Sequence, residues 1–135
     1  MKKVKLAGLI AAFVPFMASA HPCDGYEIKL RNNLIDDLLI TTVKLQGGKL
    51  NPSGMQKLDS QTEQVLTVNK TSAAGVMKGE IVFHTISLPS RTITIRFNLV
   101  NDHQTCKHTD TSPPSDYIIT RTSQSDKINY SINYK

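Results

Sequence analysis

The sequence predicts an all-β fold: a single antiparallel β-sandwich of about seven or eight strands, after a cleavable signal peptide. Three observations predict it. Apolar and polar residues alternate with period two over much of the chain beyond residue 20. Clusters of Gly, Pro, Asn and Ser separate the alternating runs at short intervals. No segment of that region carries the 3.6-residue apolar period of a long amphipathic helix.

The leader comes first. Lys2, Lys3 and Lys5 make a basic start, Leu6 to Met17 is apolar, and Ala18-Ser19-Ala20 supplies the small-x-small pattern of a cleavage site. An apolar run of roughly a dozen residues is shorter than the ~20 a membrane-spanning helix needs. The expected division is residues 1–20 as signal peptide and residues 21–135 as one domain, with a mature N-terminus at His21-Pro22-Cys23. The expected location is therefore secreted or periplasmic, with no transmembrane segment in the mature chain. Ala20-His21-Pro22 lacks the small and aliphatic residues that would precede a lipidated Cys23.

The clearest strand is Arg91 to Val100, where Ile93, Ile95, Phe97 and Leu99 alternate with Thr92, Thr94, Arg96 and Asn98. The last segment repeats the pattern, with Ile128, Tyr130, Ile132 and Tyr134 against Asn129, Ser131 and Asn133. Runs rich in β-branched residues at Tyr26–Leu30, Leu39–Gln46, Gln64–Asn69, Gly79–Ile86 and Tyr117–Thr122 complete a set of about seven. Leu88-Pro89-Ser90 is short enough to close a hairpin, as is Gln124-Ser125-Asp126, and Ser112-Pro113-Pro114-Ser115 reads as a rigid exposed link. Asn32–Leu39 has room for one helical turn at most. The expected core is Ile81, Phe83, Ile93, Ile95, Phe97, Leu99, Val43 and Leu45.

Charge narrows the function classes. Lysine plus arginine total 16, three of them in the leader, which leaves 13 against 11 acidic residues, a net +2. A balance so near neutral, with no basic run, predicts no nucleic-acid partner. The catalytic signatures are missing too: no nucleophile elbow, no phosphate-cradling glycine loop and no His-Glu-x-x-His helix. Asp36-Asp37 is an adjacent pair, and neighbours on extended chain face opposite ways rather than flanking one bond. The expectation is a protein that is not an enzyme. Asn69-Lys70-Thr71 and Asn129-Tyr130-Ser131 match the glycosylation triplet but read as ordinary polar strand positions.

Cys23 and Cys106 are the only cysteines, 83 positions apart, and an oxidising compartment predicts one disulfide between them. It would clamp the mature N-terminus to a late segment. The competing reading makes Cys106 a metal ligand, because His103-Gln104-Thr105-Cys106-Lys107-His108 holds three soft donors in six residues. A disulfide would also draw His21 towards His103 and His108. An N-terminal amine with two or three imidazoles is a nitrogen-rich set suited to copper. That constellation resembles the histidine brace of periplasmic copper carriers and copper-dependent polysaccharide oxygenases. It makes His21, His103 and His108 the candidate metal ligands and copper the alternative cofactor to none. His84, beside Phe83, falls on the polar, solvent-facing side of its strand.

A further resemblance lies in layout. Ile40–Leu50 (ITTVKLQGGKL) is a strand ending in Gly-Lys-apolar, and Ala74-Gly75-Val76-Met77-Lys78-Gly79-Glu80 leads into another strand. This order looks like that of the aegerolysin and actinoporin-like small sandwiches. The resemblance implies a non-enzymatic module that binds a lipid surface. The reading of the residues alone leaves the partner as an unknown protein or lipid surface.

Overall fold

The computed structural model describes residues 21–54 and 57–135. The expected signal peptide lies outside them. Ten strands follow in order: β1 (Glu27–Asn32), β2 (Leu38–Gln46), β3 (Lys49–Asn51), β4 (Lys57–Leu58), β5 (Glu63–Asn69), β6 (Met77–Thr85), β7 (Thr92–Asp102), β8 (Thr105–Asp110), β9 (Ile118–Ser123) and β10 (Lys127–Asn133). No described residue is helical. The strands form two five-stranded sheets, ordered β3-β5-β1-β10-β9 and β4-β2-β6-β7-β8.

Two expectations are corrected. The strand count is ten rather than seven or eight, because β3 and β4 span three and two residues, too few to show a period. The third unexpected strand, β8, alternates inward Cys106, His108 and Asp110 with outward Thr105, Lys107 and Thr109, and so lacks the apolar face that marks a strand in sequence. The sheets are also not wholly antiparallel, since β1 and β10 pair in parallel, from Glu27 opposite Lys127 to Asn32 opposite Ile132. That pairing joins the first and last strands, and local alternation carries no information about it.

Side chains from both sheets make one buried cluster, from Ile28, Leu30, Leu66, Ile128, Tyr130 and Ile132 on one side to Ile81, Phe83, Ile93, Ile95, Phe97 and Leu99 on the other. Burying side chains of this size stabilises by about 1.5–3 kcal/mol each before the cost of ordering the chain. Val43 departs from expectation: it is half-buried, packed against the cluster rather than inside it. A bulge between Ile40 and Thr42 accounts for its direction. One extra residue shifts parity, so Leu38 and Ile40 face inward before the bulge, and Val43 and Leu45 after it. Without it Lys44 would point into the core. Val43 then lines a cleft of about 290 Å³ with Leu45, Gly48 and Leu50, which leaves it partly open.

Candidate functional site

The expected disulfide is formed: Cys23 and Cys106 are bonded, with Cα atoms 4.6 Å apart. Around it the N-terminal segment is tied down by polar side chains. The Cys23 amide donates to Asn101 Oδ1 at 2.7 Å, and Asn101 Nδ2 donates to Thr71 Oγ1 at 3.0 Å and to the Ser72 carbonyl at 2.7 Å. Asp24 accepts from the Thr71 amide at 3.0 Å and its hydroxyl at 2.7 Å. Those two bonds favour the carboxylate and hold Asp24 below its ordinary range.

The structure distributes the candidate metal ligands. His21 is exposed and its Nδ1 lies 3.3 Å from Thr71 Oγ1. His103 occupies the β7–β8 turn with positive φ (55°), its side chain open to solvent beside Asp102. His108 lies between the sheets. Its ring stacks on Tyr26 at 6.3 Å and on Phe97 at 5.7 Å, and its Nε2 sits 2.8 Å from the Tyr130 hydroxyl. Among the described residues, no group of three or more His, Cys, Asp or Glu side chains is gathered for a metal ion. His84 is on the outer face as expected, half-buried, with Nδ1 3.2 Å from Thr92 Oγ1.

From His108 a polar chain runs outward. Tyr130 donates to Asp110 Oδ1 at 3.2 Å, Ser112 donates to the same oxygen at 2.7 Å, and Arg121 pairs with Asp110 Oδ2 at 3.1 Å. Burial lowers the His108 pKa and raises that of Tyr130; it pushes Tyr26 up to about 12. His108 is thus held neutral and Tyr130 protonated. With both Asp110 oxygens engaged, the chain is a strut between sheets, linking β8 to β9 and β10.

The other end of the molecule carries a different surface. Among the described residues, eight large apolar side chains are exposed, and six of them (Ile35, Leu39, Ile86, Leu88, Ile118 and Tyr134) lie at the end holding the β1–β2 and β6–β7 turns and the C-terminus. Leu88 is 91 % and Ile35 79 % exposed, each at the tip of its turn.

Both tips are held by buried polar groups. Asn32, fully buried, accepts from the Leu34 amide at 2.9 Å and donates to the carbonyls of Asp36 at 2.8 Å and Leu58 at 3.1 Å. Leu34 is drawn into the core and Ile35, the next residue, is turned out. Ser60 Oγ then donates to the Leu34 carbonyl at 2.6 Å. In the second turn, Thr85 Oγ1 accepts from the Arg91 amide at 2.8 Å and Ser90 Oγ donates to the Thr85 carbonyl at 3.0 Å. The two turns meet where Ser87 Oγ donates to Asp36 Oδ2 at 3.3 Å, and Tyr134 OH accepts from the Ile35 amide at 3.0 Å.

The rim of this end carries charges of both signs. Lys57 pairs with Asp37 and Asp59 at 3.4 Å each and Arg91 with Asp116 at 2.9 Å, Asp36 accepts from Ser87, and Arg31 and Lys135 lie at the same end. The Ser60 amide, with help from Lys57, holds Asp37 below its ordinary range, and Asp37 in turn raises Lys57.

Sequence reasoning passed over Ile35 and Leu88. The available signal was an apolar residue set among turn formers: Ile35 after Asn32-Asn33-Leu34 and before Asp36-Asp37, and Leu88 between Ser87 and Pro89. No family model and no curated protein matches the chain.

Proposed function

We propose that this is an exported, non-enzymatic binding module, a disulfide-clamped two-sheet sandwich that engages a partner protein through its apolar end. The observation that carries the reading is the concentration of Ile35, Ile86 and Leu88 on two preorganised turns, with Tyr134 of the C-terminal segment beside them, when most large apolar side chains of the described residues are buried. Rigid presentation favours recognition because little ordering entropy is lost on contact. The rim, where aspartates and cations stand in pairs, suits a partner protein whose apolar recess is bordered by charged side chains of both signs. Aliphatic tips without tryptophan also differ from the aromatic anchors that membrane interfaces favour. The disulfide supports an oxidising, extracytoplasmic location, and the leader pattern of residues 1–20 is the reason to place it there by export.

The test is hydrodynamic. In the exported fraction of cells that make it, the wild-type protein is expected in a complex larger than twice its own mass. The pair Ile35→Asp and Leu88→Asp should release it, while Val76→Asp, at the opposite end, should leave the complex intact. Wild-type protein that floats with phosphatidylcholine or phosphatidylglycerol vesicles, or a complex indifferent to both tip substitutions, overturns the reading.

A further inference from the structure

Each sheet has two edge strands, and three of the four are protected. Among the described residues, strands β3 and β4 are three and two residues long, too short to template another chain. Strand β8 carries exposed Lys107 at its centre and is bonded through Cys106 to the N-terminal segment. Strand β9 differs. It pairs with β10 on one side only, runs six residues, and reads Ile-Ile-Thr-Arg-Thr-Ser, with five of the six exposed. It contains no proline and no lysine. Its single charge, Arg121, is turned to Asp110. On the inner side of this edge the two sheets stand apart, leaving a cleft of about 340 Å³ over Tyr117, Ile119 and Arg121, bordered by Ser112-Pro113-Pro114-Ser115.

We infer that β9 is a self-association edge, where a second copy of this chain adds its own β9 antiparallel about a two-fold axis through Thr120. The sequence of the strand is complementary to itself in that register. Opposed residues of an antiparallel pair share a face, so the register must pair inner with inner and outer with outer, and centring on Thr120 does so. On the outer face Thr120 meets the second copy's Thr120, and Ile118 meets its Thr122, both β-branched pairs that suit neighbouring strands. On the inner face Ile119 meets Arg121 and Tyr117 meets Ser123. No like charges stand opposite one another. Each Arg121 stays on its own Asp110, which neutralises it and keeps the two guanidinium groups apart. Sheet β3-β5-β1-β10-β9 then continues into its counterpart as one ten-stranded layer, and the unprotected backbone groups of both edges are paired. The surface meets the apolar end only at Ile118 and leaves the Leu88 and Ile35 tips free.

The experiment uses the processed, oxidised protein in analytical ultracentrifugation from 1 µM to about 500 µM, a range suited to weak and moderate association. A monomer–dimer equilibrium is expected. Thr120→Lys and Thr120→Glu each place like charges on the two-fold axis and should weaken the dimer by about ten-fold or more. An equimolar mixture of the two variants should recover a heterodimer. Thr120 is exposed, and unchanged circular dichroism and melting temperature of each variant separate lost association from lost folding. A monomer across the whole range, a dimer unaffected by Thr120→Lys, or a mixture that fails to re-associate overturns the inference.

Discussion

Gly79 and Phe97 face each other across β6 and β7, and the pair shows how much rests on one missing methyl group. A Cβ on Gly79 would collide with the ring of Phe97, which lies flat over that position and continues the stack onto His108. Gly79→Ala is therefore expected to destabilise by about 1–3 kcal/mol through overpacking. Phe97→Ala should cost about 3–5 kcal/mol through the cavity it leaves. Denaturant unfolding of the double variant Gly79→Ala/Phe97→Leu should show a smaller loss than the sum of the Gly79→Ala and Phe97→Leu losses, because the smaller side chain makes room for the added methyl group. His108 gives a second expectation. Its folded pKa lies below the unfolded value near 6.5, so the unfolded chain takes up the proton first. Stability is full above about pH 6.5, is lost as pH falls from there to the folded pKa, and levels off below it. His108→Gln keeps a polar partner for Tyr130 and should remove that slope. A pH–stability profile with the same slope in both proteins would contradict this account of the ring. Asp24, Asp37 and Glu80, all lowered, add their losses at lower pH, as it falls from the ordinary carboxylate range to their folded values.

At the scale of elements, the turn 33–37 depends on Asn32, which satisfies three backbone groups from inside the protein. Asn32→Ala leaves those groups buried and unpaired, and is expected to cost about 1–3 kcal/mol or more in denaturant unfolding. It should also loosen the presentation of Ile35, read as faster amide exchange in residues 33–37. The disulfide acts on a longer element. In the chain-entropy treatment, closing a loop of 83 residues constrains the unfolded state by about 4–5 kcal/mol. Thermal unfolding of the Cys23→Ser/Cys106→Ser protein should show a corresponding loss, and alkylation of the oxidised, denatured protein should modify neither cysteine. The legibility of the elements follows their chemistry. The strands β7 and β10 were readable because one face is apolar and the other polar without interruption. Strand β8 was not, because its inward residues are a disulfide cysteine, a histidine and an aspartate, side chains that look like ligands in sequence and act here as a clamp and a strut. The bulge in β2 hid the inward pair Leu38 and Ile40, since the phase that turns Val43 and Leu45 inward points Leu39 and Thr41 inward until Thr41 is taken out of register.

At the scale of the molecule, two ends with different character emerge from one chain. One end carries the disulfide, the N-terminal segment and the network of Asp24, Thr71 and Asn101. The other presents Ile35, Ile86, Leu88 and Tyr134 within a rim of paired charges. Sequence alone identifies the leader pattern and the cysteine pair, because each is a local or compositional signal. It does not identify the apolar end, which exists only because parallel pairing of β1 with β10 and antiparallel pairing of β2 with β6 bring four separate segments to the same side. The most direct measurement of the central claim is site-specific photocrosslinking in cells that export the protein, with the photoreactive residue at Leu88 in one form and at Val76 in the other. The account predicts a discrete crosslinked protein from position 88 that Ile35→Asp abolishes, and none from position 76. Crosslinks to lipid at position 88, or the same protein captured equally from both positions, would contradict it.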